Sequence, residues 1–318
     1  MTIGQHLQEF HGLPAFDFPE ADATTALPEP DSVAWRVSGS VYDAEEEWTA
    51  AFERFCSAVD TTRVRALIVG AWTEAYDSAS TEVVEALLAA RDRLPALRGL
   101  FLGDIVYEEC EISWINQTDV TGLLTGFPEL EEFGVRGGTG LRLEAFNHTA
   151  LRRLTVQTGG LPVRVVRGIG GSELPALEHL DLWLGTSWYG ADTEPADLEP
   201  ILSGARLPRL RHLALRNSEI QDEVAAAVSS APVVARLEVL DLSMGTLGDD
   251  GAAALLGGQP LTHLKRLDLH HHYLSEPVQQ RIRETLEPAG VELDLDSDNP
   301  DEDRDEDGTV HRYVAVGE

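Results

Sequence analysis

The pattern L-x-x-L-x-L, where x is any residue, occurs four times in this sequence and constrains its fold more than any other feature. The four copies begin at Leu177, Leu210, Leu237 and Leu264. Because the last two leucines of each copy are two residues apart, they point to the same side of a short strand. One such unit cannot bury its own apolar side, whereas stacked copies share a continuous core. The sequence therefore predicts an array of stacked repeats, each with a strand and a mostly helical return segment.

Less regular copies extend the array in both directions. The first-leucine position is occupied by Val64, Leu97, Leu130 and Leu151 in earlier copies, and Val291–Leu295 fits a ninth strand. Successive first positions are 21 to 33 residues apart, within or just above the range of about 20 to 29 residues that is typical of leucine-rich repeats.

These motifs resemble the leucine-rich-repeat superfamily, particularly its ribonuclease-inhibitor-like branch, over roughly residues 60–296. The second copy continues into Asn217, close to the position at which such repeats carry an Asn. The resemblance implies an α/β solenoid shaped like a curved horseshoe, with about eight or nine repeats. It also implies a parallel sheet on the concave side, helices mostly on the convex side, and binding on the concave side.

The chain divides into three parts by pattern. Residues 1–60 are predicted to form an extended segment and a strand–helix cap, residues 61–296 the repeat array, and residues 297–318 an acidic loop with a capping strand. The pair Phe16 and Phe18 favours an N-terminal segment that docks on the body, although residues 1–32 are also compatible with disorder. Val310–Val316 alternates and is expected to close the C-terminal edge of the sheet.

Two local expectations concern helices. Trp48, Phe52, Phe55 and Val59 follow helical spacing, which predicts a helix from Tyr42 to Val59 with Asp43 as its N-cap. The segment from Gly159 to Gly171 shows no helical period and is predicted to be an extended crossover.

Composition excludes some classes of function. The net charge of −31 and a single lysine, Lys265, argue against nucleic acid as a partner and are compatible with a basic one. No apolar run is long enough to span a membrane, and the start lacks the pattern of a signal peptide. The two cysteines, Cys56 and Cys110, have no metal or redox spacing. We therefore expect a cytoplasmic monomer with reduced thiols and no membrane contact.

Residues at the third, fifth and seventh positions of each motif are expected to face away from the core, on the concave side. Three aspartates, Asp241, Asp268 and Asp294, should then lie side by side about 4.8 Å apart. Adjacent like charges are unfavourable, so the row indicates a bound cation, a basic group of a partner, or Arg266 between the carboxylates. Solvated acids on an open face are the simpler alternative. The candidate partner-binding residues are His179, Asp181, Trp183, His212, Arg216, Asp241, Arg266, Asp268, His270 and Asp294.

Trp183 beside Arg216 has the composition of an interface hot spot. Trp188 and Tyr189 follow on the loop that leaves the same strand. They either extend this surface or pack beneath a long irregular repeat.

The metal signals are weak. His270–His272 lies near the aspartates of the next strand, but consecutive histidines alternate faces, so that at most two converge. The stretch from Asp303 to Gly308 has the D-x-D-x-D-G opening of a calcium loop, but Val314 stands where the loop requires Glu. We predict no metal and no cofactor.

The sequence lacks a G-x-S-x-G elbow, a dinucleotide fingerprint and a P-loop, which disfavours an enzyme. The interpretation is a non-catalytic module that binds a protein or peptide on its concave side. The alternative is a metal- or small-ligand-binding protein that uses the Asp241/Asp268/Asp294 row. The Phe16/Phe18 segment and Val310–Val316 also resemble an actinobacterial leucine-rich-repeat family of unassigned function encoded near radical SAM proteins, which implies an accessory or substrate-presenting role in a modification pathway.

Overall fold

The computed structural model describes residues 3–21, 23, 25–41, 46–298, 300, 302–305, 308 and 310–317. Within these residues the chain is an α/β protein built on one long sheet and a separate two-stranded hairpin. The strands are β1 (Glu9–Phe10), β2 (Leu13–Asp17), β3 (Ala34–Val37), β4 (Ala66–Val69), β5 (Gly99–Leu102), β6 (Glu132–Arg136), β7 (Arg153–Gln157), β8 (His179–Gly185), β9 (His212–Ser218), β10 (Val239–Asp241), β11 (Arg266–Asp268), β12 (Glu292–Asp294), β13 (Glu302–Arg304) and β14 (Val310–Arg312). The helices are α1 (Trp48–Ala58), α2 (Thr81–Ala89), α3 (Thr121–Gly126), α4 (Val163–Gly171), α5 (Glu199–Ser203), α6 (Gln221–Ser229), α7 (Asp249–Gly257) and α8 (Glu276–Leu286).

The long sheet holds twelve strands in chain order, from β1 to β12. Every neighbouring pair from β2 onward is parallel, and only β1 and β2 are antiparallel. The second leucines of successive motifs are in register, so that Leu213, Leu240, Leu267 and Leu293 are neighbours across four strands. This pairing confirms a stacked, repetitive α/β architecture.

The core lies between the leucine side of the sheet and the helices. Leu213, Leu240 and Leu267 are fully buried in the same apolar cluster as Val224 of α6 and Leu255 of α7. Each such side chain contributes about 1.5 to 3 kcal/mol by leaving water. The opposite side of the sheet carries the polar residues of the motifs, and we call it the open face, defined by Asp181, Ala214, Asp241, Asp268 and Asp294.

The predicted extended crossover between Gly159 and Gly171 is wrong, because its second part is helix α4. Val165, Val166 and Ile169 are fully buried there at helical spacing. Gly168 permits close approach to the preceding loop, since a Cβ atom would lie 1.8 Å from the Leu143 carbonyl oxygen. Tertiary packing thus outweighs the poor helix propensity of glycine and valine.

The N-terminal segment docks on the body, as its aromatic residues predict. Phe16 packs edge-on against Trp35, with ring centroids 5.4 Å apart, and Phe18 packs against Phe55 at 5.3 Å. The following helix begins at Trp48 in the structure. Tyr42, Asp43 and Glu45 lie outside the described residues, so the predicted N-cap stays a prediction.

The N-terminal segment also folds back over the first part of the open face. Leu7, Phe10 and Leu13 form a second apolar cluster with Ile68 and Phe101, on the side of the sheet away from the helices. Phe10 and Phe101 meet edge to face at 5.8 Å. The open face over β3 to β5 is therefore covered by the chain itself.

The C-terminal strand does not close the sheet as predicted. Val310–Arg312 forms β14, which pairs antiparallel with β13 rather than with β12. The residues after β14 run along the carboxyl ends of the parallel strands, where Ala315 and Val316 are buried. The expected pairing with the edge of the sheet is therefore wrong, and Ala315 and Val316 bury their side chains against Trp183 and Met244 instead.

None of the helices that the structure describes is long and apolar enough to cross a membrane.

Candidate functional site

The open face of β8 to β12 brings together most of the residues that the motif positions predict. The parallel register places Asp241 beside Asp268, and Asp268 beside Asp294. The predicted aspartate row therefore exists. Asp241 and Asp268 are also mostly buried, with 6% and 7% of their surface exposed, so the row is not a set of freely solvated acids.

Arg216 neutralises one part of the row. Its Nη2 atom lies 2.6 Å from Asp181 Oδ2, its Nε atom 3.0 Å from Asp181 Oδ1, and its Nη1 atom 3.4 Å from Asp241 Oδ2. Ala214 separates the two aspartates in the register, and its small side chain leaves space for the guanidinium. Both neighbouring carboxylates raise the pKa of Arg216 against the opposing effect of burial.

Arg266 neutralises the other part, as one of the sequence-based alternatives expects. Its Nη2 atom lies 2.8 Å from Asp268 Oδ2 and 3.2 Å from Asp294 Oδ2. The imidazole of His270 completes the group, with its Nδ1 atom 2.7 Å from Asp268 Oδ1. A guanidinium of the chain thus lies between two carboxylates of the row.

The neighbours Asp241 and Asp268 differ in acidity. Burial raises the pKa of Asp241 more than Arg216 and Ser243 lower it. Burial also acts on Asp268, but hydrogen bonds from His270 and Arg266 outweigh it and lower the pKa of Asp268 to about 2. Asp241 is therefore the carboxyl group of the two that binds a proton more readily, and a proton there reduces the repulsion between the neighbours.

Trp183 is not the exposed anchor that the sequence predicts. Only 7% of its surface is exposed, because Ala315 and Val316 of the C-terminal segment pack on it together with Ile112 and Met244. The guanidinium of Arg216 lies 5.2 Å from the centre of its ring. A local pattern cannot report a contact with a segment more than 130 residues away.

The loop after β8 carries a tryptophan that is exposed, in contrast to Trp183. Trp188 is 86% exposed, so the alternative that it packs beneath a repeat is wrong. Tyr189 is half-buried. The exposed Trp188 therefore offers apolar surface next to the carboxyl ends of the strands.

His179 and His212 lie side by side at the entry of β8 and β9, with ring centroids 3.9 Å apart. Burial and the nearby positive charges lower the pKa of His179 to about 3. Burial likewise lowers the pKa of His212 to about 4, although Asp181 opposes the change. Both rings are thus neutral at physiological pH.

We expect the double substitution H179Q/H212Q to flatten the acid side of the stability profile. The lowered folded-state pKa values mean that the unfolded chain binds more protons below pH 6.5, so the contribution of each histidine falls between about pH 7 and pH 4. The loss from pH 7.5 to pH 5 should be about 1 to 2 kcal/mol per histidine. Urea unfolding at both pH values measures it, with the exposed His311→Gln as control. Parallel profiles for wild type and double variant would contradict the expectation.

Among the described residues, one group could hold a metal ion, namely Asp268, His270 and Asp294, whose donor atoms lie within 4.8 Å of one another. His271 and His272 are buried instead and approach the backbone carbonyls of Tyr313 and Leu295. Of the three consecutive histidines, one reaches the open face. The calcium-like loop includes residues 306 and 307, which lie outside the described residues, and Asp303 accepts a hydrogen bond from the Tyr313 hydroxyl.

Sequence reasoning missed a cleft of about 560 Å³ that is lined in part by Asp181 of β8. Gly134 and Thr155 form its floor, and the N-terminal turn at Phe10–Gly12 forms one wall. Gly134 is required there, since a Cβ atom would lie 2.3 Å from the Phe101 ring. Small residues at the fifth motif position of the irregular repeats were the available signal, but the wall comes from a distant segment.

Comparison with known proteins finds a similar fold in a solved structure. No protein-family model and no curated protein matches the chain. A crystal structure of a Bacteroides fragilis protein from a structural genomics consortium superposes with a TM-score of 0.73 and 26% identity, over 85% of this chain and 73% of that one. A leucine-rich-repeat protein of Leptospira interrogans aligns with 13% identity over 74% of this chain and 90% of that one, at a TM-score of 0.18, too low to indicate a shared fold.

Proposed function

We propose that this chain is a non-catalytic binding module of the leucine-rich-repeat superfamily, in its ribonuclease-inhibitor-like branch. Its sheet is then the concave side of a horseshoe with about eight or nine repeats. The in-register leucines support this assignment. The proposal includes a cytoplasmic, monomeric protein, and the resemblance of the terminal segments to an actinobacterial family adds an accessory role in a modification pathway.

The ligand class that we propose is a basic protein segment or peptide held on the open face of β8 to β12. The observation that carries this proposal is the excess of carboxylates on a face that the N-terminal segment leaves uncovered. This face carries two guanidinium groups, those of Arg216 and Arg266, and five carboxylates. The carboxylates belong to Asp181, Asp241, Asp268, Asp294 and Glu292. The side chain of Glu292 is 71% exposed, so it remains accessible to a partner.

The electrostatics of the face suit such a ligand. Arg216 and Arg266 hold the aspartates in fixed positions, which lowers the ordering cost on binding. A basic side chain of the ligand can pair with Asp294 and Glu292 while Arg266 stays in place, because the side chains of these two acids are 37% and 71% exposed. The net charge of −31 steers a basic partner toward the protein.

Site-specific photocrosslinking tests this proposal. A benzoylphenylalanine at Val239, which lies between His212 and Arg266 on the open face, should crosslink a basic segment of one protein in source cells. The same group at the exposed Gln280 of α8 is the matched control. Raising the salt concentration should weaken the Val239 product, because exposed charge contacts are screened. Crosslinks that are the same at both positions, or a crosslinked segment without basic residues, would contradict the proposal.

A second candidate is a metal- or small-ligand-binding protein that uses the Asp241/Asp268/Asp294 row. The grouping of Asp268, His270 and Asp294 within 4.8 Å favours it. Arg266 already bridges two of these carboxylates, and a metal ion would have to displace it. The peptide-binding proposal needs no such loss and is preferred.

A further inference from the structure

The C-terminal segment Tyr313–Gly317 crosses the carboxyl ends of the parallel strands. The Tyr313 carbonyl accepts hydrogen bonds from the Tyr273 hydroxyl, at 2.9 Å, after β11. The Ala315 N–H donates to the Met244 carbonyl, at 2.8 Å, after β10. The Gly317 carbonyl accepts from the Ser113 hydroxyl, at 2.5 Å, after β5. The segment thus runs against the strand order, in an extended path over several repeats.

Asn217 at the end of β9 makes the most specific contact. Its Oδ1 atom accepts from the Val316 N–H at 2.9 Å, and its Nδ2 atom donates to the Val316 carbonyl at 2.6 Å. One amide side chain therefore binds both backbone polar groups of one residue, Val316. Asn217 is held for this role in the left-handed region, at φ 56°, which Asn tolerates better than most residues.

Side chains of the segment contribute little beyond small apolar contacts. Ala315 and Val316 are 3% and 2% exposed and cover Ile112, Trp183 and Met244. Gly159 lies next to the segment, and only glycine fits at this position because a Cβ atom would lie 2.4 Å from the Gly317 carbonyl oxygen. The surroundings thus select an extended backbone with small apolar residues.

Trp183 supplies a separate indication that the contact is incomplete. Its indole N–H is buried and has no hydrogen-bond partner among the described residues. A buried donor left unpaired costs about 1 to 3 kcal/mol. The internal segment therefore covers Trp183 without satisfying this donor.

We propose that Ser113, Trp183, Asn217 and Met244 line a peptide-binding groove, here called the carboxyl-edge groove. Its ligand is an extended segment with small apolar side chains, and Tyr313–Gly317 occupies it as an internal ligand that a partner displaces. The proposal rests on the proposed function, since Trp183 contacts Arg216 and so joins the groove to the open face. Every residue of the preceding hairpin strands is exposed, so the segment can leave the groove by local opening rather than by global unfolding.

The test uses the full chain and a fluorescein-labelled peptide with the sequence of residues 310–317. Ala315→Glu places a charge in a buried apolar position of the internal segment and leaves the groove unchanged. We expect the labelled peptide to bind A315E at least ten-fold more tightly than wild type, because its competitor is weakened. Val310→Glu, at a position that is 36% exposed and away from the groove, is the matched control and should bind as wild type does.

Two further variants make the outcome decisive. Adding Asn217→Asp to A315E keeps a residue that tolerates the left-handed backbone but removes the N–H donor, and should weaken peptide binding at least ten-fold. Val316→Gly, which removes an apolar contact without adding a charge, replaces A315E if that variant does not fold.

A folded A315E chain that binds the peptide no better than V310E would overturn the proposal. So would a tail that stays protected from amide hydrogen exchange in A315E, because the groove would then accept a carboxylate. Crosslinking at Val239 is independent of these results. Success there with failure here would leave the open-face proposal standing and reject the groove alone.

Discussion

Asp104→Ala should destabilise the protein by about 3 to 5 kcal/mol, because it removes the carboxylate that two buried arginines share. Asp104 is fully buried. Its Oδ2 atom lies 2.8 Å from Arg36 Nε, and its Oδ1 atom 3.2 Å from Arg136 Nη1. The two guanidinium groups are 6% and 3% exposed. Without the carboxylate, Arg136 stays buried but loses its ion pair, and Arg36 keeps the ion pair with Asp17 at 2.6 Å.

The same substitution should release the N-terminal segment. The Leu7 N–H donates to Asp104 Oδ2 at 3.1 Å, and His6 Nδ1 lies 3.5 Å from that atom. In D104A we expect faster amide exchange and faster proteolysis in residues 3–13, at urea concentrations below the global transition.

The effect of D104A should depend on pH in a defined direction. Burial raises the pKa of Asp104, but the hydrogen bond with His6 and the charges of Arg136 and Arg36 lower it by more. The pKa of Asp104 in the folded chain is therefore below that of an Asp in the unfolded chain. The contribution of Asp104 is therefore present above about pH 4 and falls as the pH drops through the folded-state pKa. Wild type and D104A should converge in stability at strongly acidic pH.

Asp31→Ala is the control for D104A. Asp31 pairs with Arg63 at 2.7 Å, but both side chains are 46% exposed, so its loss should cost less than about 1 kcal/mol. Urea unfolding followed by circular dichroism measures both variants. Equal losses in D31A and D104A would show that the buried cluster does not carry the stability that its geometry indicates.

Arg216→Met should have the second large effect, again about 3 to 5 kcal/mol at pH 7. Methionine keeps most of the apolar length of the side chain, which preserves the contact with Trp183. It leaves Asp181 and Asp241, which are 5% and 6% exposed, without their shared counter-ion. The loss is therefore a charge effect rather than a packing effect.

The pH dependence of R216M distinguishes this explanation from a packing defect. Burial already raises the pKa of Asp241 in the wild type. Without the opposing charge of Arg216 this pKa rises further, so the folded state binds more protons. The cost of the substitution should then be smaller at pH 4 than at pH 7. A cost independent of pH would point to packing and contradict the charge explanation.

Arg266→Met is the matched control for R216M, since it removes the same group from the other half of the row. The Arg266 side chain is 39% exposed and that of Asp294 37%. Water can therefore replace the guanidinium, and we expect a loss of about 1 kcal/mol or less. The contrast between the two variants measures how strongly burial, rather than pairing alone, determines the contribution of each arginine.

Much of the array could be predicted from local pattern. The second leucines of the motifs predict which residues share one side of the sheet, and the register of Leu213, Leu240 and Leu267 confirms it. The mostly helical return segments that the repeat predicts are present as α6, α7 and α8. Both expectations succeed because a parallel array repeats the same short-range geometry, so each copy reports on its neighbours.

The positions of the candidate site residues could be predicted from the sequence, but their burial and their ion pairs could not. The positions of Asp241, Asp268 and Asp294 follow from strand alternation, which depends only on residues two apart. Their low exposure and their pairing with Arg216 and Arg266 depend on side-chain rotamers across strands, which no periodicity encodes.

Local sequence patterns predict the repetitive strand–helix architecture, the side of the sheet that faces the helices and the acidic row on the other side. What covers that other side depends on tertiary contacts. The contact of Leu7 with Asp104 and that of Asn217 with Val316 each join residues almost one hundred positions apart. The apolar side chains of both terminal segments are too few to form a core of their own, so they bury surface wherever the finished sheet offers a complementary one. The place where each terminal segment packs therefore depends on the assembled surface. For this reason Trp183, which was predicted to be an exposed anchor, is buried beneath the C-terminal segment.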